Sequence, residues 1–336
     1  MPFKEGSVVG NELRSKAEIR EGQDPNFLNT VRYIWNKYNP IIIFIVLVIA
    51  ASLASPQFLK QQNVLNVLRQ VSTLGIMSMG MLMVIVMGGI DLSVGSLLAL
   101  GCVLTGLLIN GTKSVFIAVV VVLFVGLLLG AISGLFISLK NMAPFVMTLA
   151  MMTIARGFAY IYSRGNPINI KIKSFGEFIQ GYFLLIPNPV WIMLIIFAIT
   201  VFIFRKTFMG RIFLAIGSNE EAVRLSGIKV KFYKFIGYTL SGMLAAGCGV
   251  IVAGRTSVGS PLVGVGNELD VIAAIVIGGA SLNGGKGSPL YSLIGAIILG
   301  IISNIMNLMN IPAYPQEVVK GIIIIFAVLF SNQNNK

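Results

Sequence analysis

Two glycine-rich stretches put polar side chains inside an otherwise apolar chain. The first is Gly88-Gly89-Ile90-Asp91-Leu92-Ser93-Val94-Gly95-Ser96, between the apolar runs Val71–Met87 and Leu97–Ile109. The second is Gly278-Gly279-Ala280-Ser281-Leu282-Asn283-Gly284-Gly285-Lys286-Gly287-Ser288. An acid, hydroxyls and several glycines interrupt segments long enough to lie in a bilayer. A backbone group left unpaired in lipid costs on the order of several kcal/mol. Each stretch must therefore be buried in protein or line a wet cavity.

A third stretch, Gly217-Ser218-Asn219-Glu220-Glu221-Ala222-Val223-Arg224-Leu225-Ser226-Gly227, reads as a short capped helix. Ser218 or Asn219 can cap it, and Glu220 and Glu221 suit the positive end of the helix dipole. Gly227 can end it in the left-handed conformation. A solvated loop helix and a helix that docks on a partner both satisfy this pattern.

Other chemistries are excluded. The chain has no His, which removes the commonest general base and most zinc sites. Gly285-Lys286-Gly287-Ser288 resembles a phosphate loop, but Gly287 stands where Ser or Thr must follow the lysine. No Gly-x-Ser-x-Gly elbow and no metal-ligand cluster stands out. Cys102 and Cys248 both fall in apolar runs and read as packing residues rather than a disulfide. Asn110-Gly111-Thr112 fits a glycosylation sequon, a pattern frequent by chance.

The elements that must position these residues follow from composition. Of the 336 residues 56% are hydrophobic and 11% charged, with mean hydropathy +0.89. A soluble domain carries roughly 25% charged residues. The chain is therefore an all-α polytopic membrane protein. Its formal charge of +13 is not a nucleic-acid stripe. The cations gather in the tail at Lys4, Arg14, Lys16, Arg20, Arg32 and Lys37, and again in Arg205–Lys234. Such an asymmetry marks the cytoplasmic side.

About ten transmembrane helices are expected, with an internal repeat and broken helices. Met1–Pro40 (1-40) is a cytoplasmic tail that ends in a surface helix near Phe27–Tyr38. The transmembrane body is 41-331, and 332-336 is a cytoplasmic end. Pro40–Ser55 is the first span, followed by an amphipathic approach helix over Lys60–Gln70. Further spans are Val71–Met87, Leu92–Ile109, Val115–Leu139, Pro144–Tyr162, Val190–Phe204 and Phe235–Ala253. Glu268–Gly278 is too short to cross alone unless Glu268 and Asp270 sit at the rim. Pro289–Asn307 and Val318–Phe330 complete the count. Gly126, Gly130 and Gly134 make a groove for another helix backbone. Arg156, inside a span, must face protein, water or headgroups. The repeat relates Met83–Gly101 to Ala274–Gly295. Even parity puts both termini in the cytoplasm, on the side of the 205-234 loop.

Gly88–Ser96, the Asn219–Gly227 helix and Leu269–Gly287 together resemble the permease subunits of bacterial ABC importers for monosaccharides. Ribose permeases are the nearest type, and galactose and allose permeases are relatives. The resemblance spans Ile41 to Phe330 with the motif order kept. It implies the ABC importer permease fold in the bacterial inner membrane and a homodimer with a second permease copy. It also implies a cytoplasmic ATPase that binds ATP and Mg, which this chain does not bind, and a periplasmic sugar-binding protein.

On that resemblance, Asn219, Glu220, Glu221, Ala222, Arg224, Leu225, Ser226 and Gly227 form the coupling helix gripped by the ATPase. Gly88, Gly89, Asp91, Ser93, Ser96, Gly278, Gly279, Ser281 and Asn283 are the candidate translocation pathway. Asp91 either holds backbone geometry or binds hydroxyls. Arg255, Glu268 and Asp270 are candidate contacts to the binding protein at the rim. No residue is expected to be catalytic. The alternative is a secondary transporter or facilitator for a small polar solute, with Asp91, Arg156, Glu268 and Asp270 as its ionisable candidates.

Overall fold

A computed structural model describes the backbone of residues 27–333 and the side chains of residues 39–325. The expectations for residues 1–26 of the tail and for 334–336 lie outside the described residues. Among the described residues the chain forms thirteen helices and four two-residue strands. In order they are α1 (Phe27–Ala54), α2 (Gln61–Ile85), α3 (Val94–Thr112), α4 (Val115–Leu139) and α5 (Pro144–Ser163). Next come β1 (Ile168–Asn169), α6 (Lys173–Gln180), β2 (Tyr182–Phe183) and β3 (Ile186–Pro187). Then follow α7 (Asn188–Lys206), α8 (Phe208–Ser218), α9 (Glu220–Leu225), α10 (Val230–Thr256) and β4 (Val258–Gly259). The last are α11 (Asn267–Ile277), α12 (Pro289–Leu308) and α13 (Ala313–Gln333).

Among the described residues, seven helices are long and apolar enough to cross a membrane: α2, α3, α4, α5, α7, α10 and α12. Two expectations need correction. The approach helix over Lys60–Gln70 is not separate, because α2 runs unbroken from Gln61 to Ile85. No turn-forming residue interrupts that stretch, so its amphipathic first turns simply continue into the apolar ones. The surface helix near Phe27–Tyr38 likewise continues through Pro40 as the single helix α1.

The core is built around α10, which packs on α4, α3 and α2. Glycine lets the backbones approach. A methyl group at Gly126 or Gly130 of α4 would run into backbone atoms of α10 at Gly242 and Tyr238. A methyl at Gly242 would run into Gly126 and Gly130 in return. The groove read from Gly126, Gly130 and Gly134 is thus filled by α10. Close contact of this kind replaces the hydrophobic drive that is missing between helices in lipid.

The 163–189 connection is not a bare loop. Its helix α6 buries Phe175 and Ile179, and β1 pairs antiparallel with β4 beyond the end of α10. Between α10 and α11 the chain turns back through residues 257–266. Arg156 of α5 holds that return, donating to the carbonyls of Pro261 and Val263 at 2.7 Å each. The cation expected to need a polar surrounding inside a span finds it in two backbone oxygens. Arg156 lies roughly 18 Å along α5 from Pro144 at 1.5 Å per residue. Counted from Ser163 at the other end of α5, it lies roughly 10 Å along the helix.

Candidate translocation site

The first break begins where α2 ends. Gly88 takes φ +79°, a conformation that L side chains rarely adopt. Its amide donates back to Ile85 O, and that of Gly89 to Val84 O. A methyl at Gly89 would strike the Tyr238 hydroxyl. The chain then reaches Asp91, which is 1% exposed. Asp91 Oδ1 accepts from the Ser93 amide at 3.0 Å and from the Ser93 hydroxyl at 2.5 Å. Oδ2 accepts from the Ser241 hydroxyl of α10 at 2.8 Å. The carboxylate thus ties the break to the central helix. Ser93 stands at the cap of α3 but caps nothing with its side chain, because its hydroxyl is held by Asp91. Ser96 is fully buried, and its hydroxyl has no partner among the described residues.

The second seam follows α11. Gly278 packs on α12, where a methyl would meet the Tyr291 carbonyl. Gly279, Gly284 and Gly285 all have φ between +77° and +86°. The loop closes through the Ser281 amide on Lys286 O and the Asn283 amide on the Ser281 hydroxyl. The two seams touch: the Gly285 amide donates to Val86 O at 2.9 Å, and a methyl at Gly88 would lie 3.5 Å from Asn283 O.

A polar cavity of about 780 Å³ opens at the other end of the bundle. Volumes of 300–1,000 Å³ are typical of small-molecule sites. Its polar lining includes Asn66 and Gln70 of α2, Arg255 of α10, Asn267 and Asp270 of α11, and Ser303 of α12. None of Gly88, Gly89, Asp91, Ser93, Ser96, Gly278, Gly279, Ser281 and Asn283 lines it. Arg69 on the same wall donates to Asn66 and to the Gln180 carbonyl and lies over the Tyr182 ring. Arg255 has no hydrogen bond or ion pair among the described residues, whereas Asp270 is held by Lys320 of α13 at 3.1 Å. Glu268 is 9% exposed and faces the start of α3, where a methyl on Gly95 would collide with it. Glu268 is thus buried against α3, while Asp270 lines the cavity.

The lining of α2 had a signal in the sequence. Asn63, Asn66, Gln70 and Thr73 recur at i, i+3, i+7 and i+10, one polar face of a helix. The apolar positions of that segment mark the opposite face and suggest only a surface helix.

At the far end from the cavity lies α9. Asn219, not Ser218, is its cap: Asn219 Oδ1 accepts from the Ala222 amide at 2.9 Å. The Ser218 hydroxyl donates back to Leu214 O. Gly227 takes φ +79° after the helix. Arg224 donates two hydrogen bonds to Glu221, at 2.9 and 2.6 Å, which holds the Glu221 carboxyl below its ordinary value. Glu220 pairs with Lys234 at 2.6 Å and straps α9 to α10. Val223 is buried while Leu225 is 76% exposed.

The sequence of this mostly helical bundle matches a known family model. The model for the branched-chain amino acid transport system / permease component matches residues 63–328. The chain belongs to that family. This permease is a transport component and not an enzyme. It is 42% identical over 295 residues to the ribose import permease protein RbsC of Haemophilus influenzae, covering 87% of this chain and 91% of that one. It is 43% identical over 308 residues to the RbsC of Bacillus subtilis, covering 90% and 94%. It is 40% identical over 305 residues to the L-arabinose transport system permease protein AraH of Escherichia coli, covering 90% and 92%. No solved structure matches the chain.

Proposed function

We propose that this permease is the membrane subunit of an ATP-driven importer for ribose or a related sugar. The observation that carries the reading is its two-ended build. A sugar-sized polar cavity lies at one end of α2 and α10, and a capped, outward-facing α9 lies at the other. The relatives named for ribose and L-arabinose import support a neutral pentose as cargo. A sugar offers hydroxyls and no charge, and amides, hydroxyls and a guanidinium suit it. Asn66, Gln70, Asn267, Ser303 and Arg255 are assigned to its first contacts. The two glycine seams lie deeper and form the inner part of the route.

The permease works as one of two copies in a bacterial inner membrane, with ten crossings per copy and both termini in the cytoplasm. A binding protein delivers sugar above the cavity, and Arg255 is available to its acidic groups. A cytoplasmic ATPase grips α9 below, through Glu220, Glu221, Ala222 and Leu225. Secondary transport is less well supported. Asp91 is engaged by three donors and Arg156 by two carbonyls. Asp270 is likewise held by Lys320, which leaves Glu268 as the one candidate of the four that no other segment holds by a hydrogen bond or ion pair among the described residues.

The test is reconstitution of the permease with its ATPase and binding protein, read as uptake of radiolabelled ribose and L-arabinose. Uphill uptake that requires ATP and all three proteins is expected. Accumulation by the permease alone would refute the reading. Glu221→Arg should abolish ATPase association while leaving membrane insertion unchanged.

A further inference from the structure

Three backbones meet at the α9 end of the bundle: Val86–Gly88 after α2, Gly284–Gly285 after α11, and Gly217–Ser218 at the last turn of α8. A methyl at Gly217 would run into Val86 O, the Gly285 amide and Gly284 Cα. A methyl at Gly284 would run into Gly217 and Gly88, and one at Gly285 into Ser218. The Gly285 amide bonds Val86 O across the junction. No side chain can stand between these segments. Asn219, the cap of α9, directly follows Ser218.

The two helices that end here begin at the cavity. α2 carries Asn66 and Gln70 at its far end, and α11 carries Asn267 and Asp270. α2 is continuous from the cavity to the junction, whereas α11 ends at Ile277 and is tied to it by the 278–288 loop, closed by the Ser281 amide on Lys286 O and the Gly284 amide on Ser281 O. We propose that Gly217 is a positioning residue. It locks the segment carrying α9 to both helix breaks, so that a displacement of α9 shifts the inner ends of α2 and α11 together. The cavity wall then follows α9 directly, without a chain of rearranging side chains. The inference rests on the reading of α9 as the ATPase contact.

The importer complex with Gly217→Ala tests it, with Gly157→Ala as control, since a methyl at Gly157 meets nothing within 4 Å. ATPase association should persist, because the cap and ion pairs of α9 are untouched. Sugar moved per ATP hydrolysed should fall at least tenfold with ribose or L-arabinose as cargo, and the control should stay within twofold. An assembled Gly217→Ala complex that stays within twofold overturns the proposal.

If that variant does not assemble, the pair Ser218→Cys and Lys286→Cys decides, since both positions are exposed beside the junction and add no side chain inside it. Segments that move as one body tolerate a bond between them, so oxidation should leave at least half of the uptake. Uptake stopped by oxidation and restored by reductant would show a sliding joint and overturn the proposal. Failure of Glu221→Arg to affect association would instead remove the α9 reading on which the proposal rests. That result is independent of Gly217.

Discussion

Asp91 illustrates how far single residues can be read. An acid beside paired glycines in an apolar chain suggested either a backbone brace or a hydroxyl binder. Three donors on a carboxylate that is 1% exposed favour the brace. Asp91→Ala leaves the Ser93 amide and two hydroxyls without an acceptor and should cost about 3 kcal/mol or more. Ser241→Ala removes one donor and should cost about 1–2 kcal/mol. Thermal unfolding of the purified permease in detergent checks both. An unchanged melting temperature in Asp91→Ala with uptake lost would mean that Asp91 serves cargo rather than the fold. The sequence could not make this choice, because Ser241 lies 150 residues away.

Among the elements, α9 was the most legible. Its acids, its left-handed glycine and one of two candidate caps are local features that depend on neighbours within a few residues. Asn219→Ala should weaken α9 by about 1 kcal/mol. Affinity of the permease for its ATPase is then expected to fall severalfold, measured by titrating labelled ATPase onto reconstituted permease. The α4–α10 contact responds in another way. Gly130→Leu has no space beside Tyr238 and Gly242. That variant should fail to accumulate in membranes, whereas Gly157→Ala accumulates normally, as judged by immunoblot of membrane fractions. The glycine spacing in α4 announced a groove, yet nothing in it said that α10 would fill it.

For the whole molecule, the prediction concerns access. The only cysteines, Cys102 and Cys248, are buried, so the background to thiol labelling is low. Asn267→Cys should react with a membrane-impermeant maleimide added outside intact cells. Leu225→Cys should react only in inverted vesicles. Labelling of both from one side would overturn the proposed orientation. Gln70→Leu removes a polar group from the cavity wall, and the half-saturation concentration for cargo should rise about tenfold, equivalent to about 1.4 kcal/mol.

The membrane class, most helix boundaries and the breaks at both glycine seams were determined by sequence alone. Each follows from hydropathy over a window or from a backbone conformation that few residues adopt. The tertiary structure decided which polar residues face a common space. It placed the cavity on Asn66, Gln70, Asn267 and Ser303 and put the seams against α8. It also set the carbonyls of Pro261 and Val263 on Arg156. These outcomes depend on how helices far apart in the chain pack together. Local propensity carries no information about a carbonyl supplied from another helix.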